Sequence, residues 1–187
     1  YHGDQSNIDE LKSKRWQRRK EKALKNIEAF SAKLLRLEST RIDNKTNPLP
    51  LPSTYTQFIS EFPFTETQDQ KNIMDAIIHD FKQPMLFDRL VCGDVGFGKT
   101  EIAMRAAFIA LANGYQVAII APTTVLATQH YNNFKDRFKS WDFPQVLLSR
   151  SNQTSEKERE RIALGEVKLI IGTHKVLSQS FDKLGLV

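Results

Sequence analysis

The stretch Arg89-Leu-Val-Cys-Gly-Asp-Val-Gly-Phe-Gly-Lys-Thr-Glu101 has the G-x-x-x-x-G-K-[ST] spacing that is typical of a phosphate-binding loop. Its glycines allow consecutive backbone N–H groups to turn inward around an anion, because no Cβ stands in the way. Lys99 would add a mobile positive charge for the β- and γ-phosphates, and the Thr100 hydroxyl would offer an oxygen ligand to Mg²⁺. The stretch therefore predicts a nucleotide site.

The residues on either side of this loop fit a strand before it and a helix after it. Leu90–Cys92 is a short apolar run suited to a buried strand, and 101–112 is rich in helix formers and ends before Asn113-Gly114. A helix that begins at the loop directs the positive end of its dipole at a bound anion. This order of strand, loop and helix argues against a chance glycine-rich turn.

The length of 187 residues predicts one domain plus an appendage, and both ends look cut from a longer chain. The sequence contains no secretory signal and no apolar run long enough to span a bilayer. The one cysteine, Cys92, falls in the predicted buried strand. A reduced cytoplasmic setting without disulfides is therefore expected.

The net charge of +5 is carried by the first 45 residues, which hold twelve Lys and Arg against seven Asp and Glu, whereas 46–187 hold fifteen of each. The basic pI is thus no argument for a nucleic-acid groove in the larger part. The basic arm predicts one long helix from about Lys12 to about Leu37. One face of this helix is apolar, with Trp16, Ala23, Ile27, Phe30, Leu34 and Leu37, and the other faces carry Arg15, Arg18, Arg19, Lys20, Lys22 and Lys25.

Two interpretations of this arm stay open. It is either an amphipathic helix that docks through its apolar face and leaves its basic side in solvent, or a helix whose basic side contacts DNA or an acidic partner. A sustained coiled coil is disfavoured, because the pattern is short and includes Trp16 and Phe30. The proline-bearing stretch 43–52 then predicts a linker, so we place the domain boundary between residues 45 and 46.

An amphipathic helix is expected after residues 65–70, and Gln70 has two possible roles at its start. Thr67 is a plausible N-cap with Gln70 at the capping-box position. Alternatively, the Gln70 amide reads the edge of an adenine while a nearby Phe stacks on the face of the base. The residues alone do not decide between the two.

Beyond the loop, strand and helix patterns alternate. This predicts an α/β fold in which helices cover a parallel sheet with right-handed crossovers. In such sheets ligands gather at the carboxyl ends of the strands. The predicted strands are 116–121, 145–149 and 168–172, with 184–187 opening another, and the predicted helices are 125–138 and 154–164.

Polar residues follow three of these strands, namely Pro122–Thr124, Ser149–Arg150 and Gly172–His174. Thr123 and Thr124 are either helix caps or groups that bind DNA phosphates, because hydroxyls and free N–H groups at helix starts do both. His130 and His174 lack a Ser, Cys or metal-ligand partner at a telling spacing. No metal site other than one for Mg²⁺ is therefore expected, and no covalent nucleophile.

Four segments together resemble the bacterial transcription-repair coupling factors: 62–70, 88–101, 121–130 and 171–175. The likeness spans nearly the whole chain. The basic helix with Trp16 is also similar to the helix that, in this family, connects an RNA-polymerase-binding module to the motor. The resemblance implies a P-loop, RecA-like lobe of a superfamily-2 motor that is driven by ATP and Mg²⁺ and translocates on double-stranded DNA.

The same resemblance implies partners and a residue-level assignment. The family displaces stalled RNA polymerase at lesions and recruits nucleotide excision repair through UvrA, in the cytoplasm and without a membrane partner. The resemblance favours Gln70 as the residue that contacts adenine. It also favours Lys99 and Thr100 as the catalytic residues that bind phosphate and Mg²⁺. The predicted nucleotide-binding set is Phe64, Gln70, Gly93, Asp94, Val95, Gly96, Phe97, Gly98, Lys99, Thr100 and Glu101, and the predicted DNA-binding set is Thr123, Thr124, Arg150, Thr173 and His174.

The acidic D-E-x-[QH] motif of the family does not occur in these residues and is expected beyond Val187, together with a second motor lobe. We therefore expect the 187 residues by themselves to have no appreciable ATPase activity. Two other functions remain as alternatives: a branch-migration motor like RecG, and a noncatalytic interaction fragment that only holds nucleotide. Phe97 and the basic arm argue against the RecG alternative, because that family has a small residue at this loop position and lacks the arm.

Overall fold

The computed structural model describes residues 14–43, 45–149 and 155–187. The chain divides into two compact units, Tyr1–Thr46 and Asn47–Val187. None of the helices within the described ranges is both long enough and apolar enough to cross a membrane.

Between residues 14 and 43 the first unit is a single helix, α1, which runs from Lys14 to Asp43. It extends six residues past the predicted end at Leu37, where the apolar spacing stops. The polar residues beyond that point fit the helix because the Ser39 and Thr40 hydroxyls both donate to the Arg36 carbonyl oxygen, at 2.9 Å each. The large apolar side chains of the expected face are exposed, namely Trp16, Ile27, Phe30, Leu34 and Leu37.

The second unit is built on a four-stranded parallel sheet in the order β2-β3-β1-β4. Parallel pairing confirms the predicted α/β class. Because Ile120 and Leu148 both pair with Gly172, strands β1, β2 and β3 end level with one another at their carboxyl edge. The strand bounds are Gln116–Ile120 for β1, Gln145–Leu148 for β2, Leu169–Gly172 for β3 and Leu184–Leu186 for β4.

Three helices of this unit precede its first strand, and from the third of them onward helices and strands alternate. The sequence did not predict α2 or the 3-10 helix, since each is too short to show a helical period. Helix α6 begins two residues later than predicted, because Ser155 forms a capping box with Glu158. The bounds are Tyr55–Ser60 for α2, Gln68–Phe81 for α3, Lys99–Ala112 for α4, Thr124–Arg137 for α5, Glu156–Ala163 for α6 and His174–Ser178 for the 3-10 helix.

An aromatic cluster forms the centre of the core between α2, α4 and the end of α5. The ring of Phe58 stacks on that of Phe108 at 4.2 Å and on that of Phe138 at 5.3 Å between centroids. All three side chains are buried. Stacked and edge-on aromatic pairs of this kind add about 0.5–1.5 kcal/mol each beyond the area they bury. Helix α4, which begins at the glycine loop, is thereby held on a rigid base.

The predicted strand at Leu90–Cys92 does not form, and this prediction is wrong. Leu90 is 87% exposed, and Cys92, expected to be buried, is exposed as well. An extended segment becomes a strand only when a neighbouring strand pairs with its backbone. None of the four strands in the described chain pairs with this segment.

At the opposite, amino edge of the sheet, the buried side chain of Gln116 joins three segments. Its Nε2 donates to the carbonyl oxygens of Ile162 and Val167, at 2.9 and 2.8 Å. Its Oε1 accepts from the backbone N–H groups of Asp182 and Lys183, at 2.9 and 3.2 Å. One amide therefore satisfies four backbone groups, from the end of α6, the approach to β3 and the approach to β4.

Candidate functional site

The glycine loop meets helix α4 in a conformation that only glycine adopts without strain. Gly98 is the N-cap of α4 and has a φ of 76°, and Gly96 has a φ of 88°. A Cβ on Gly98 would also lie 2.5 Å from the Gln70 Nε2. These two positions explain why the loop needs glycine.

Lys99 and Thr100 occupy the first turn of α4, as the spacing predicted. The Lys99 ammonium donates to the carbonyl oxygens of Gly93 and Asp94, both at 2.6 Å, so that its charge lies over the loop. The positive end of the α4 dipole lies at the same place. An anion held here would meet a cation and a helix amino terminus together.

A cavity of about 300 Å³ opens beside the loop, between it and the start of α3. Its walls include Gln70 and Ile73 on one side and Gly93, Phe97 and Lys99 on the other. The structure thus brings Gln70, which is distant in sequence, to the glycine loop. The exposed Cys92 also lines the cavity, a position that the wrong strand prediction had missed.

Gln70 forms the predicted capping box and also contacts the loop. Its backbone N–H donates to the Thr67 Oγ1 at 3.2 Å, and its Oε1 accepts from the Thr67 N–H at 3.0 Å. Its Nε2 donates to the Phe97 carbonyl oxygen at 2.9 Å. The capping interpretation is confirmed. Adenine recognition stays a prediction, and it would require the amide to exchange at least one of these partners.

Two of the predicted nucleotide-binding residues are exposed aromatic side chains, of which Phe97 lines the cavity and Phe64 does not. Phe64 is 72% exposed, and its ring meets the ring of Phe62 edge-on at 5.4 Å. Phe97 and Val95, in the loop, are exposed too. Phe64 could therefore stack on a base without leaving a buried position.

Glu101, the last member of the predicted nucleotide-binding set, lies in the protein interior, and its place in that set stays a prediction. Its side chain is buried, and its carboxylate accepts from Arg105 Nε at 2.9 Å and from an Arg137 amino group at 3.1 Å. Successive residues of an α-helix point about 100° apart, so a residue next to Thr100 faces another way. Glu101 contributes to the support of the loop through these ion pairs.

These ion pairs extend into a buried network that the sequence did not predict. Arg105 also pairs with Glu66, and Arg137 donates to the Phe58 carbonyl oxygen at 2.8 Å and stands 3.8 Å from the centre of the Phe58 ring. Burial lowers the pKa of the Arg105 guanidinium from its ordinary value. One signal was available: Arg105 interrupts an otherwise apolar helix, where a charged residue needs partners.

Three of the five predicted DNA-binding residues lie at the exposed carboxyl edge, and a fourth is buried there. The Thr123 Oγ1 accepts from the Leu126 N–H at 3.2 Å, so Thr123 caps α5, and Thr124 follows it. His174 is exposed, whereas Thr173 is 4% exposed and its Oγ1 has no hydrogen-bond partner among the described residues. Because the ends of β1 and β3 pair with each other, the residues after β1, Thr123 and Thr124, lie beside those after β3, Thr173 and His174. Arg150 lies outside the described residues.

The residues present fit a nucleotide with Mg²⁺. Mg²⁺ beside a triphosphate takes most of its ligands from phosphate oxygens and water. The loop therefore needs to supply only one ligand, the Thr100 hydroxyl. No group of three or more His, Cys, Asp or Glu side chains within the described ranges could hold a metal ion by itself. The loop is therefore suited to a metal that arrives with phosphate.

The model of the DEAD/DEAH box helicase family matches residues 67–187. This chain belongs to that family. The matched region contains Gln70, the glycine loop and all three polar strand ends. A helicase-family fold of this kind indicates the use of ATP, and the parallel sheet described above agrees with it.

The chain is also similar to curated proteins over nearly its whole length, which confirms the resemblance drawn from the sequence. It is 43% identical over 185 residues to the transcription-repair-coupling factor of Haemophilus influenzae, covering 96% of this chain and 16% of that protein. It is 42% identical over 177 residues to the transcription-repair-coupling factor of Escherichia coli, covering 92% of this chain and 15% of that protein. The chain thus spans less than a fifth of the length of these two relatives.

Among solved structures, a structure of RecG bound to a three-way DNA junction is similar in fold. The TM-score is 0.74 at 29% sequence identity, and the match covers 81% of this chain and 22% of RecG. The sequence identity to the two coupling factors is higher than the identity to RecG.

Proposed function

We propose that this chain is the nucleotide-binding part of a superfamily-2 translocase that uses ATP and Mg²⁺ to move on double-stranded DNA. In this proposal the full-length protein removes stalled RNA polymerase at lesions and recruits excision repair through UvrA, in the cytoplasm. The observation that carries the proposal is the loop Gly93–Thr100, with a left-handed Gly98 at the start of α4. The similarity to coupling factors over 96% of the chain supports the choice of substrate and partners.

In the nucleotide site, Lys99 binds the β- and γ-phosphates and Thr100 binds Mg²⁺, which neutralises phosphate charge when bound. Gln70 contacts the edge of the adenine, and Phe64 stacks on its face. Exposure of Phe64 and the position of Gln70 in the cavity wall support this assignment. The backbone N–H groups at the start of α4 complete the phosphate site.

DNA would lie across the carboxyl edge of the sheet and contact Thr123, Thr124, Arg150, Thr173 and His174. Hydroxyls and backbone N–H groups at helix starts bind phosphate oxygens and carry no base sequence information. The contacts are therefore expected to be sequence-independent, as a motor that moves along DNA requires. The neighbouring ends of β1 and β3 support a shared contact surface.

The 187 residues by themselves are proposed to bind ATP with little or no hydrolysis. Hydrolysis needs an acidic group that holds Mg²⁺ and a group that positions water, and an arginine finger adds about 10³–10⁵ in rate. The residues directly after β1, β2 and β3 in the described chain are Ala121, Ser149 and Thr173, none of which is acidic. A phosphate-release assay with and without duplex DNA tests this. DNA-stimulated turnover that depends on Lys99 would refute it.

The proposed function is tested by Lys99→Ala in the full-length protein. Loss of ATP-driven release of a stalled RNA polymerase is expected, with an unchanged melting temperature, because Lys99 lies on the surface of the loop. Lys139→Ala, which removes an exposed lysine after α5, is the matched control and should release polymerase normally. Normal release by Lys99→Ala would rule out the assignment.

A branch-migration motor is the second candidate, because a RecG structure shares this fold with a TM-score of 0.74. It predicts that the full-length protein reverses a synthetic fork into a four-way junction and leaves a stalled polymerase in place. The coupling-factor proposal predicts the opposite pair of results. Measurement of both reactions at the same ATP concentration distinguishes the two functions.

A further inference from the structure

We propose that Arg105 is a positioning residue for nucleotide selection. In this proposal its buried guanidinium fixes the segment Phe62–Gln70, called here the base segment, against the phosphate loop. Phe64 and Gln70 are thereby presented to the base, while the phosphate contacts do not depend on Arg105. This inference rests on the proposed function, in which Phe64 and Gln70 contact adenine.

Arg105 lies inside helix α4, six residues after Lys99, and is 2% exposed. Burying a charged group costs several kcal/mol unless close, well-oriented partners offset the loss of water. A guanidinium carries five N–H donors in a rigid plane and can therefore serve two carboxylates from one position. Besides the Tyr55 hydroxyl of α2, the partners of Arg105 come from two different parts of the site.

The first set of partners belongs to the base segment. The guanidinium pairs with the Glu66 carboxylate and stands 5.2 Å from the centre of the Phe62 ring. Glu66 and Phe62 flank Phe64 on either side in the sequence, and the Phe64 ring meets the Phe62 ring edge-on at 5.4 Å. Arg105 therefore contacts the residues two positions before and two positions after the exposed aromatic side chain.

Glu66 also connects Arg105 to Gln70. It immediately precedes Thr67, whose backbone N–H and side chain form the capping box with Gln70. Because Glu66 is fixed, the cap and the Gln70 side chain keep their place at the cavity. The Gln70 Nε2 then reaches the Phe97 carbonyl oxygen of the loop at 2.9 Å.

The second partner belongs to the phosphate side. Arg105 Nε donates to Glu101 Oε1 at 2.9 Å, and Glu101 adjoins Thr100. Arg137 from α5 holds the same Glu101 carboxylate at 3.1 Å, so Glu101 keeps a cationic partner even when Arg105 is changed. Loss of the Arg105 guanidinium should therefore loosen the base segment more than it loosens the phosphate loop.

The test compares ligands that share the phosphates and differ in the base. Displacement of a fluorescent N-methylanthraniloyl-ATP from the chain by ATP, GTP and inorganic triphosphate is measured in Mg²⁺ buffer. In the unchanged chain ATP should compete best. Arg105→Lys keeps one charge and loses the fork, so the affinity for ATP should fall about tenfold, which corresponds to about 1.4 kcal/mol. The affinities for inorganic triphosphate and for GTP should stay the same.

Arg161→Lys is the matched control, because Arg161 Nε pairs with Glu166 Oε2 at 3.1 Å on the surface and far fewer contacts depend on it. It should leave all three affinities unchanged. Should Arg105→Lys fail to fold, as judged by its melting curve, Glu66→Gln replaces it. That variant breaks the charge pair on the base-segment side only and should show the same selective loss of ATP affinity.

Three results would overturn the inference. Equal weakening of ATP and inorganic triphosphate would make Arg105 a general support of the fold, and an unchanged ATP affinity in the folded variant would leave it without a role in binding. A third result concerns the unchanged chain: if it binds inorganic triphosphate as well as ATP, then base recognition by Phe64 and Gln70 fails, and the inference fails with it. The first two results leave the proposed function intact.

Discussion

Polar side chains at the two edges of the parallel sheet differ in their burial and in their hydrogen bonding. At the amino edge, the Gln116 amide satisfies four backbone groups and is itself fully buried. At the carboxyl edge, Thr123 and His174 are exposed, and the Thr173 Oγ1 has no hydrogen-bond partner within the described ranges.

This difference separates the polar groups that stabilise the fold from those available to ligands. A buried polar group with all its partners contributes to stability and specificity, whereas an unpaired one costs free energy that must be offset elsewhere. Groups at the carboxyl edge are tolerated there because ligands of parallel sheets bind at that edge. Substitutions at the two edges should therefore change different measurements.

The largest effect on stability is expected from Gln116→Leu. This change removes the partner of the Val167 carbonyl oxygen and of the Asp182 and Lys183 N–H groups, whereas the Ile162 oxygen keeps the Gly165 N–H at 3.0 Å. Each backbone group left without a partner costs about 1–3 kcal/mol. The free energy of unfolding in urea should fall by about 3 kcal/mol or more, with nucleotide affinity of the folded fraction unchanged.

Gln145→Leu is the matched control, since Gln145 also begins a strand but its Oε1 is buried without a partner among the described residues. Its cost should be about zero, because that oxygen accepts no hydrogen bond within the described ranges that the substitution could remove. Equal costs for the two substitutions would contradict the role given to Gln116.

A smaller effect, on DNA affinity alone, is expected from Thr123→Asp. An aspartate caps a helix as well as a threonine does, so the melting temperature should stay constant. Its negative charge would repel a DNA phosphate, and the full-length protein should bind two unrelated duplexes about tenfold more weakly. Fluorescence anisotropy measures the affinity for each duplex. Unchanged binding would mean that Thr123 serves only as the cap of α5.

The smallest effect is expected from Thr173→Val, which replaces a buried hydroxyl, without a hydrogen-bond partner in the part of the chain that the structure describes, with a methyl group of the same shape. The free energy of unfolding should rise by about 1 kcal/mol. The affinity for duplex DNA should fall by about threefold, because a possible phosphate contact is lost. A decrease in stability would show that the hydroxyl has a partner in solution. A rise in stability with unchanged DNA affinity would remove Thr173 from the DNA-binding set.

Features that depend on neighbouring residues in the sequence were predicted well. The capping box of Thr67 and Gln70, the cap at Thr123 and the strands β1, β2 and β3 are all set by local patterns. The glycine loop also followed from its spacing, because the left-handed backbone at Gly98 is available to few residues other than glycine.

Features that depend on distant partners were not predicted. Leu90–Cys92 has the composition of a strand, but strand formation requires a paired neighbour, and no described strand pairs with it. The network around Arg105 joins Glu66 to a helix 39 positions later, so no local pattern indicates it. Glu101 was assigned to the loop by its position next to Thr100, while the rotation of the helix points it inward.

The central claim, that the glycine loop binds the nucleotide and the amino edge of the sheet does not, is tested most directly by amide hydrogen exchange of the chain with and without Mg²⁺ and ATP. The account predicts slower exchange at 95–101 when ATP is present, no change around Gln116 or at 182–184, and loss of the protection in Lys99→Ala. Unchanged exchange at 95–101 at saturating ATP, or protection that persists in Lys99→Ala, would contradict it.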